Sequence, residues 1–209
     1  MTEDKKEIWV FGDWRNYFQN RVTLQLIARA RELAAALDAK VCAVVFGHKV
    51  DEWVWEYTCH GAEKIYYADH PKLKNYHVET FTYLMERLAR ERRPEIILIG
   101  GTSFGREFAP RLAKRLVTGL TADCIDLRID EAGRLIQTAP SFGGNMLADI
   151  ITPERRPQMA TVRPGIFKEL PHDDARESQK VRVPLPDDLP RERVRLVSAQ
   201  RLTHREQKL

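Results

Sequence analysis

Short apolar strands alternating with helix-sized amphipathic segments predict a doubly wound, three-layer α/β/α domain with a mostly parallel sheet and an antiparallel extension. The clearest observation is the run Ile96, Ile97, Leu98, Ile99, which has no polar position. A strand buried on both faces of a parallel sheet reads this way, whereas a half-exposed strand alternates. Directly after it come Gly100 and Gly101 and then a helical stripe of Phe104, Phe108, Leu112 and Leu116, so strand, tight turn and helix follow without a gap. The same rhythm recurs through the first half of the chain, and parallel neighbours require such crossovers of about a dozen residues.

Taken in order, Ile8 to Phe11 is a first strand closed by Gly12 and Asp13. The polar DWRNYFQNR reads as a loop whose Trp14, Tyr17 and Phe18 are exposed aromatics suited to a protein contact. Val22, Leu26, Ala30, Leu33 and Leu37 mark a helix, with Arg21, Arg29, Arg31 and Glu32 on its wet side. Val41 to Phe46 is a second buried strand closed by Gly47, and a helix from about Asp51 to His60 turns Val54 and Trp55 inward. Lys64 to Ala68 is a third strand, and Thr80 to Arg92 a third helix built on Phe81, Leu84, Met85 and Leu88. The helix after Gly101 takes Thr102 or Ser103 as its cap. Pro110 lacks a backbone donor, so a kink is predicted that sets the turn around Gly105 and Arg106 apart.

After Leu120 the rhythm changes. Ala122 to Ile129, Leu135 to Pro140, Met146 to Ile151 and Gln158 to Val162 are short segments between turns, with a hairpin at Asp130 to Gly133. They predict a mixed or antiparallel extension of the sheet. Beyond Phe167, a charged stretch is broken by Pro171, Pro184, Pro186 and Pro190 and carries Arg191, Arg193, Arg195, Arg201 and Arg205 as a solvated segment. Val181 to Val183 and Val194 to Val197 are each long enough for one short strand. The expected division is a domain over 1–167 and a Pro- and Arg-rich extension over 168–209.

Composition bounds the function. A chain of 209 residues, 43% hydrophobic, fills a sizeable core. No run approaches the roughly 18 apolar residues of a membrane helix, and the charged Met1 to Glu7 does not lead into the apolar core of a signal peptide. A soluble, cytoplasmic protein without a membrane span is expected. The net charge of +4 arises from 34 basic and 30 acidic residues, a mixed surface that argues against a nucleic-acid partner. Cys42, Cys59 and Cys124 lack the spacing of a disulfide framework or a zinc site, and the six histidines form no i, i+4 pair, so no metal site is expected. Asp123 beside Cys124 has no neighbouring histidine and reads as structural, bonding the backbone of its turn.

In a doubly wound sheet, ligands lie beyond the carboxyl ends of the strands, here Gly12 and Asp13 and the stretch Gly100 to Arg106. One reading has Gly100, Gly101, Thr102 and Ser103 holding a phosphate at the helix start, with Arg106 as counter-charge. The other has tight strand-to-helix packing, with Arg106 at a subunit contact. Neither the Gly-x-Gly-x-x-Gly spacing nor the P-loop lysine is present. Two function classes follow: a docking domain without reacting groups, or a stand-alone nucleotide-binding α/β domain of the stress-protein or adenine-hydrolase type.

Gly105 to Leu127, GREFAPRLAKRLVTGLTADCIDL, resembles the Gly-Arg-(Asp/Glu)-x-Ala-Pro-Arg … Thr-Gly-Leu-Thr-Ala-Asp-Cys block of the electron-transfer flavoprotein alpha subunit. Gln137 to Phe167 is similar to that family's Gly-Gly-Asn and Arg-Pro-Gln-Met-Ala-Thr-Val-Arg-Pro-Gly segment, although Ala139 stands where the family usually has arginine. The resemblance implies a Rossmann-like, adenine-nucleotide-hydrolase-like amino-terminal domain, in a family whose second, flavin-holding domain would follow Leu209. It also implies no cofactor in this chain, FAD in the full assembly, and no catalytic residue. The implied partners are the beta subunit and, through the assembly, dehydrogenases or quinone reductases. Arg106, Arg111 and Arg163 fall in the two blocks and are the expected interface residues, since arginine is favoured at interfaces for its planar, bidentate donors.

Overall fold

The computed structural model describes residues 5–15, 21–191, 193–194 and 196–198. In chain order its elements begin β1 (Glu7–Phe11), α1 (Val22–Leu37), β2 (Lys40–Gly47), α2 (Asp51–Cys59) and β3 (Lys64–Asp69). They continue with α3 (Val78–Arg92), β4 (Ile96–Gly100), α4 (Ser103–Leu116) and β5 (Leu120–Cys124). Last come β6 (Asp126–Ile129), β7 (Leu135–Ser141), β8 (Met146–Ile150), β9 (Gln158–Val162) and β10 (Gln179–Arg182).

Seven strands form one sheet in the order β10-β3-β2-β1-β4-β9-β5, with every neighbouring pair parallel. The chain winds outward from β1 through β2 and β3, then returns to place β4 on the other side of β1, so the switch point lies between β1 and β4. One core layer packs α1 and α2 on the sheet and the other packs α3 and α4. Along β4, Ile96 and Leu98 enter the first layer while Ile97 and Ile99 enter the second. Period-two side-chain alternation into two cores explains why this strand has no polar position.

Several expectations are corrected. On α2, Val54 is buried but Trp55 is exposed, and Tyr57, Thr58 and Cys59 complete the inward face instead. α4 continues from Ser103 to Leu116 with Pro110 inside it, so the proline does not end the helix. The missing N–H deprives only the Arg106 carbonyl, on the exposed side where water reaches it, while Phe104, Phe108 and Leu112 hold the buried side on the sheet. The segment Ala122 to Ile129 is two strands in two sheets, and Gln158 to Val162 is an interior parallel strand between β4 and β5 rather than part of the extension.

The extension itself is a separate antiparallel sheet of order β6-β7-β8. Its first turn is the expected hairpin: Asp130 accepts from the backbone N–H groups of Ala132 and Arg134, and Gly133 adopts φ +73°. Arg29, expected on the wet side of α1, instead clamps this sheet, donating from Nε to the Leu127 carbonyl at 3.0 Å and from Nη2 to Asp126 at 3.0 Å. The buried Gln158 side chain accepts from the Leu135 N–H at 2.8 Å and so ties β9 to β7.

The stretch Val181 to Val183 does contribute to a strand, β10, which pairs with β3 at the sheet edge. Val194 to Val197 forms no strand among its described residues, and Val194, Leu196 and Val197 are exposed. Tyr17, Phe18, Arg195, Arg201 and Arg205 lie outside the described residues.

Candidate functional site

The switch point is closed from within. Asp13, buried after β1, accepts a hydrogen bond from the Thr102 hydroxyl at 2.7 Å across the crevice, and Arg15 donates to its other oxygen from Nη2 at 2.8 Å. Thr102 is the cap of α4: its Oγ1 accepts from Gly105 N–H at 3.0 Å. The Gly101 N–H donates to the Val162 carbonyl at 2.6 Å. A carboxylate of the protein's own therefore stands beside the cap of α4, at the helix end that favours an anion. Three of the donors a phosphate would use, the Thr102 hydroxyl and the Gly101 and Gly105 N–H groups, are already paired.

The glycines serve packing here. A Cβ on Gly105 would meet the Gly100 carbonyl oxygen at 1.8 Å, and one on Gly100 would meet Val22 Cγ1 at 2.3 Å. Ser103 is exposed. The Arg15 guanidinium lies 3.4 Å from the centroid of Phe104 and 4.5 Å from that of Tyr76, a cation–π lid over the bridge. Trp14, expected as an exposed contact residue, is packed inward, donating from Nε1 to the Phe46 carbonyl at 3.0 Å and stacking on Trp53. A groove of about 660 Å³ opens beside this lid, lined by Arg15, Tyr76, His77 and Glu107 among others.

Two of the three expected interface arginines come together. β5 carries a bulge between Thr121 and Cys124, and Asp123 within it adopts φ +59°. That turn aims its carboxylate at Arg163, which donates from Nε at 3.1 Å and Nη2 at 2.5 Å. Asp123 thus pairs with an arginine instead of bonding its own turn, and its N–H reaches across to β9, donating to Thr161 Oγ1 at 3.0 Å. The Arg163 hydrogen bond holds the Asp123 carboxyl below the usual range, and the Arg106 charge lowers it further. Arg106 also donates to the Gly101 carbonyl at 3.2 Å. Arg111 is apart, on the outer face of α4 in a hollow shared with Glu79 and Thr82.

The sequence reading did not single out the hairpin β7–β8. Met146 and Leu147 are 58% and 61% exposed although successive residues of β8 point to opposite faces, so this end of the strand is open on both. Ile150 and Ile151 continue the strip at 40% and 38%, and Phe142, at the tip, is 77% exposed. Phe142 has φ +48° beside Gly143 and Gly144, also left-handed. A non-glycine residue held this way costs about 1–3 kcal/mol, and such costs gather at contact and switch sites. The signal was present as the apolar letters Met146, Leu147, Ile150 and Ile151, but composition does not say whether a strand is covered. Ala139 on β7, where the resembling family has arginine, is buried opposite Ala148.

Reactive groups are quiet. Burial raises the Cys42 thiol above its ordinary range, and burial with the Asp123 charge pushes Cys124 up to about 12. Neither is a nucleophile at neutral pH. Histidines scattered in sequence do meet in space: His60 and His172 converge on Glu56. Among the described residues, no helix is long and apolar enough to cross a membrane.

Comparison with known proteins matches residues 8–188 to the electron transfer flavoprotein domain. The chain is similar to the electron transfer flavoprotein subunit alpha of Thermoanaerobacterium thermosaccharolyticum, 45% identical over 179 residues, covering 86% of this chain and 54% of that protein. It is 43% identical over 176 residues to the same-named subunit of Clostridium acetobutylicum, covering 84% and 52%. A third relative is the acryloyl-CoA reductase electron transfer subunit beta of Anaerotignum propionicum, 37% identical over 187 residues, covering 78% and 51%. The chain spans about half the length of these relatives. It belongs to the electron transfer flavoprotein family.

Proposed function

We propose that this member of the electron transfer flavoprotein family is the amino-terminal-type domain of an alpha-type subunit, a scaffold and docking surface within a soluble, cytoplasmic FAD electron carrier. It has no catalysis of its own. Its direct partner is an electron-transfer flavoprotein beta-type subunit, and electrons reach the assembly from dehydrogenases or leave to quinone reductases. FAD belongs to the assembly and not to this chain alone.

One observation carries the docking role: the exposed apolar strip Phe142, Met146, Leu147, Ile150 and Ile151 on the β7–β8 hairpin and its continuation. Apolar patches of this kind mark protein contacts, and covering one such side chain contributes about 1.5–3 kcal/mol. Arg106 and Arg163 add a charged rim elsewhere on the surface. The paired donors and the internal carboxylate at the switch point support the packing reading of Gly100 to Arg106 over the phosphate one.

The test is a binding titration of the chain with a beta-type subunit from the same organism, alongside a visible spectrum. The isolated chain is expected to be colourless. Leu147→Asp is expected to weaken the complex by about thirtyfold or more, the scale of a hot spot at roughly 2 kcal/mol, with an unchanged melting temperature. A yellow isolated chain overturns the cofactor assignment, and full-strength binding by Leu147→Asp overturns the docking assignment.

A further inference from the structure

The carboxyl end of α2 gathers a set of side chains that the docking role does not use. Glu56 and Cys59 lie on the last turn of this helix and His60 ends it. The segment 171–176 folds back over them, fastened by two hydrogen bonds to the Cys59 carbonyl: from Asp173 N–H at 3.2 Å and from Arg176 Nη1 at 2.7 Å. This brings in His172 and Asp174. His172 Nε2 lies 2.7 Å from Asp174 Oδ1, and Cys59 Sγ lies 3.9 Å from the same oxygen. One ligand atom each from Cys59, His172 and Asp174 falls within 4.8 Å of the others.

Thiolate, imidazole and carboxylate together are the donor set of a borderline-soft divalent metal. A tetrahedral zinc ion, with sulfur at about 2.3 Å and nitrogen and oxygen at about 2.0–2.2 Å, spaces its ligands by roughly 3.2–3.6 Å. The observed 2.7 and 3.9 Å bracket that spacing.

A second observation points the same way. Behind His172, Glu56 Oε2 lies 3.8 Å from Nδ1, longer than a hydrogen bond and a small side-chain movement away from the position in which a carboxylate orients a ligating histidine through its other nitrogen. The His172 ring is also steadied by Trp55 and His60, at 4.9 and 5.3 Å between centroids. His60 donates from Nδ1 to the Glu56 carbonyl at 2.9 Å, since a carbonyl oxygen only accepts, and so helps to fix the helix end. Arg21 approaches Glu56 at 4.0 Å and Arg176 approaches Asp173 at 3.5 Å, which leaves the Asp174 carboxylate to face the imidazole and the thiol. Cys59 forms a buried wall, while His172 and Asp174 are exposed, which leaves the open side for a cation to enter from solvent with room for a water as fourth ligand.

We propose that Cys59, His172 and Asp174 bind one divalent transition metal of the zinc class, with Glu56 as the positioning residue behind His172. On binding, the Cys59 thiol releases its proton to solvent. The hydrogen that His172 Nε2 gives to Asp174 is replaced by the metal, and the ring carries its hydrogen on Nδ1, facing Glu56. One proton leaves per metal bound. The ion pins the segment leading to β10 onto α2.

The test titrates the untagged, chelator-treated chain with Zn2+ by calorimetry and with Co2+ by absorption. One equivalent is expected, with a thiolate-to-cobalt charge-transfer band and a higher melting temperature at saturation, because a ligand of the folded state alone stabilises it. Cys59→Ser should abolish the band, and His172→Ala and Asp174→Ala should each weaken binding at least about tenfold. Glu56→Gln should keep the band and lose about 10- to 100-fold in affinity, the usual cost of removing an orienting partner. Asp174 is exposed, so its replacement keeps the fold and isolates the metal effect. A cobalt spectrum without the sulfur band, or undiminished affinity in His172→Ala, overturns the site.

Discussion

β8 and β9 are both five residues long and both largely apolar, MLADI and QMATV, yet β9 is buried at every position and β8 is mostly exposed. Each even has a methionine, Met159 wholly buried and Met146 58% exposed. The difference lies in neighbours. β9 has a parallel strand on either side and a helical layer against it, whereas β8 is the edge of a three-stranded sheet. Apolar letters thus hold this protein together in one place and offer a surface in the other. Uncovered apolar strand edges are ordinarily avoided because they invite pairing with other chains, and the strip on β8 is the surface on which the proposed docking role rests.

The largest expected contrast is between the two methionines. Met159→Ala should destabilise by about 2–5 kcal/mol, the cost of emptying a core position, while Met146→Ala should stay within about 0.5 kcal/mol; urea unfolding reads both. Equal losses would mean that β8 is covered in the free chain. Ile97→Ala on β4 belongs with Met159, also at about 2–5 kcal/mol, and Val194→Ala with Met146.

Arg106→Ala separates packing from docking on a smaller scale. If its bond to the Gly101 carbonyl matters most, the isolated chain melts lower; the docking role expects an unchanged melting temperature and a complex weaker by roughly 2 kcal/mol.

The smallest effect is electrostatic. Asp123 has its carboxyl lowered in the folded state by Arg163, so its contribution is present above its unfolded value, near about pH 4, and is lost as pH falls through the folded one. Both partners are over a third exposed, so less than about 1 kcal/mol is at stake and salt should reduce it. Denaturation curves from neutral pH down to about 3 should be slightly less acid-sensitive in Asp123→Asn. A larger difference would place this pair deeper than its exposure allows.

The parallel body of the fold was legible because its signals are local. The all-apolar Ile96 to Ile99, the stripe of Phe104, Phe108 and Leu112, and the Thr102 cap are each decided within one element and its turn. The same locality makes the Asp130–Gly133 hairpin readable, since the Asp130 carboxylate bonds N–H groups two and four residues on. Pro110 shows the limit of local signals: a missing donor predicts a kink, yet the helical assignment runs through it, with Phe104, Phe108 and Leu112 buried on the sheet on either side of it.

What only the tertiary structure decided is whatever depends on residues distant in sequence. That β9 threads between β4 and β5 while β8 stays outside follows from sheet order, which no strand encodes by itself. Asp13 meets Thr102, Asp123 meets Arg163, and His172 meets Cys59 and Glu56 only once the crossovers are placed. Side-chain type fixes what a group can do, and a few ångströms of position fix whether it has a partner to do it with. The sequence by itself determined the strands, the helices and the family-like blocks, because hydrophobic period and turn chemistry act over a few residues. Burial and charge pairing act across the whole fold.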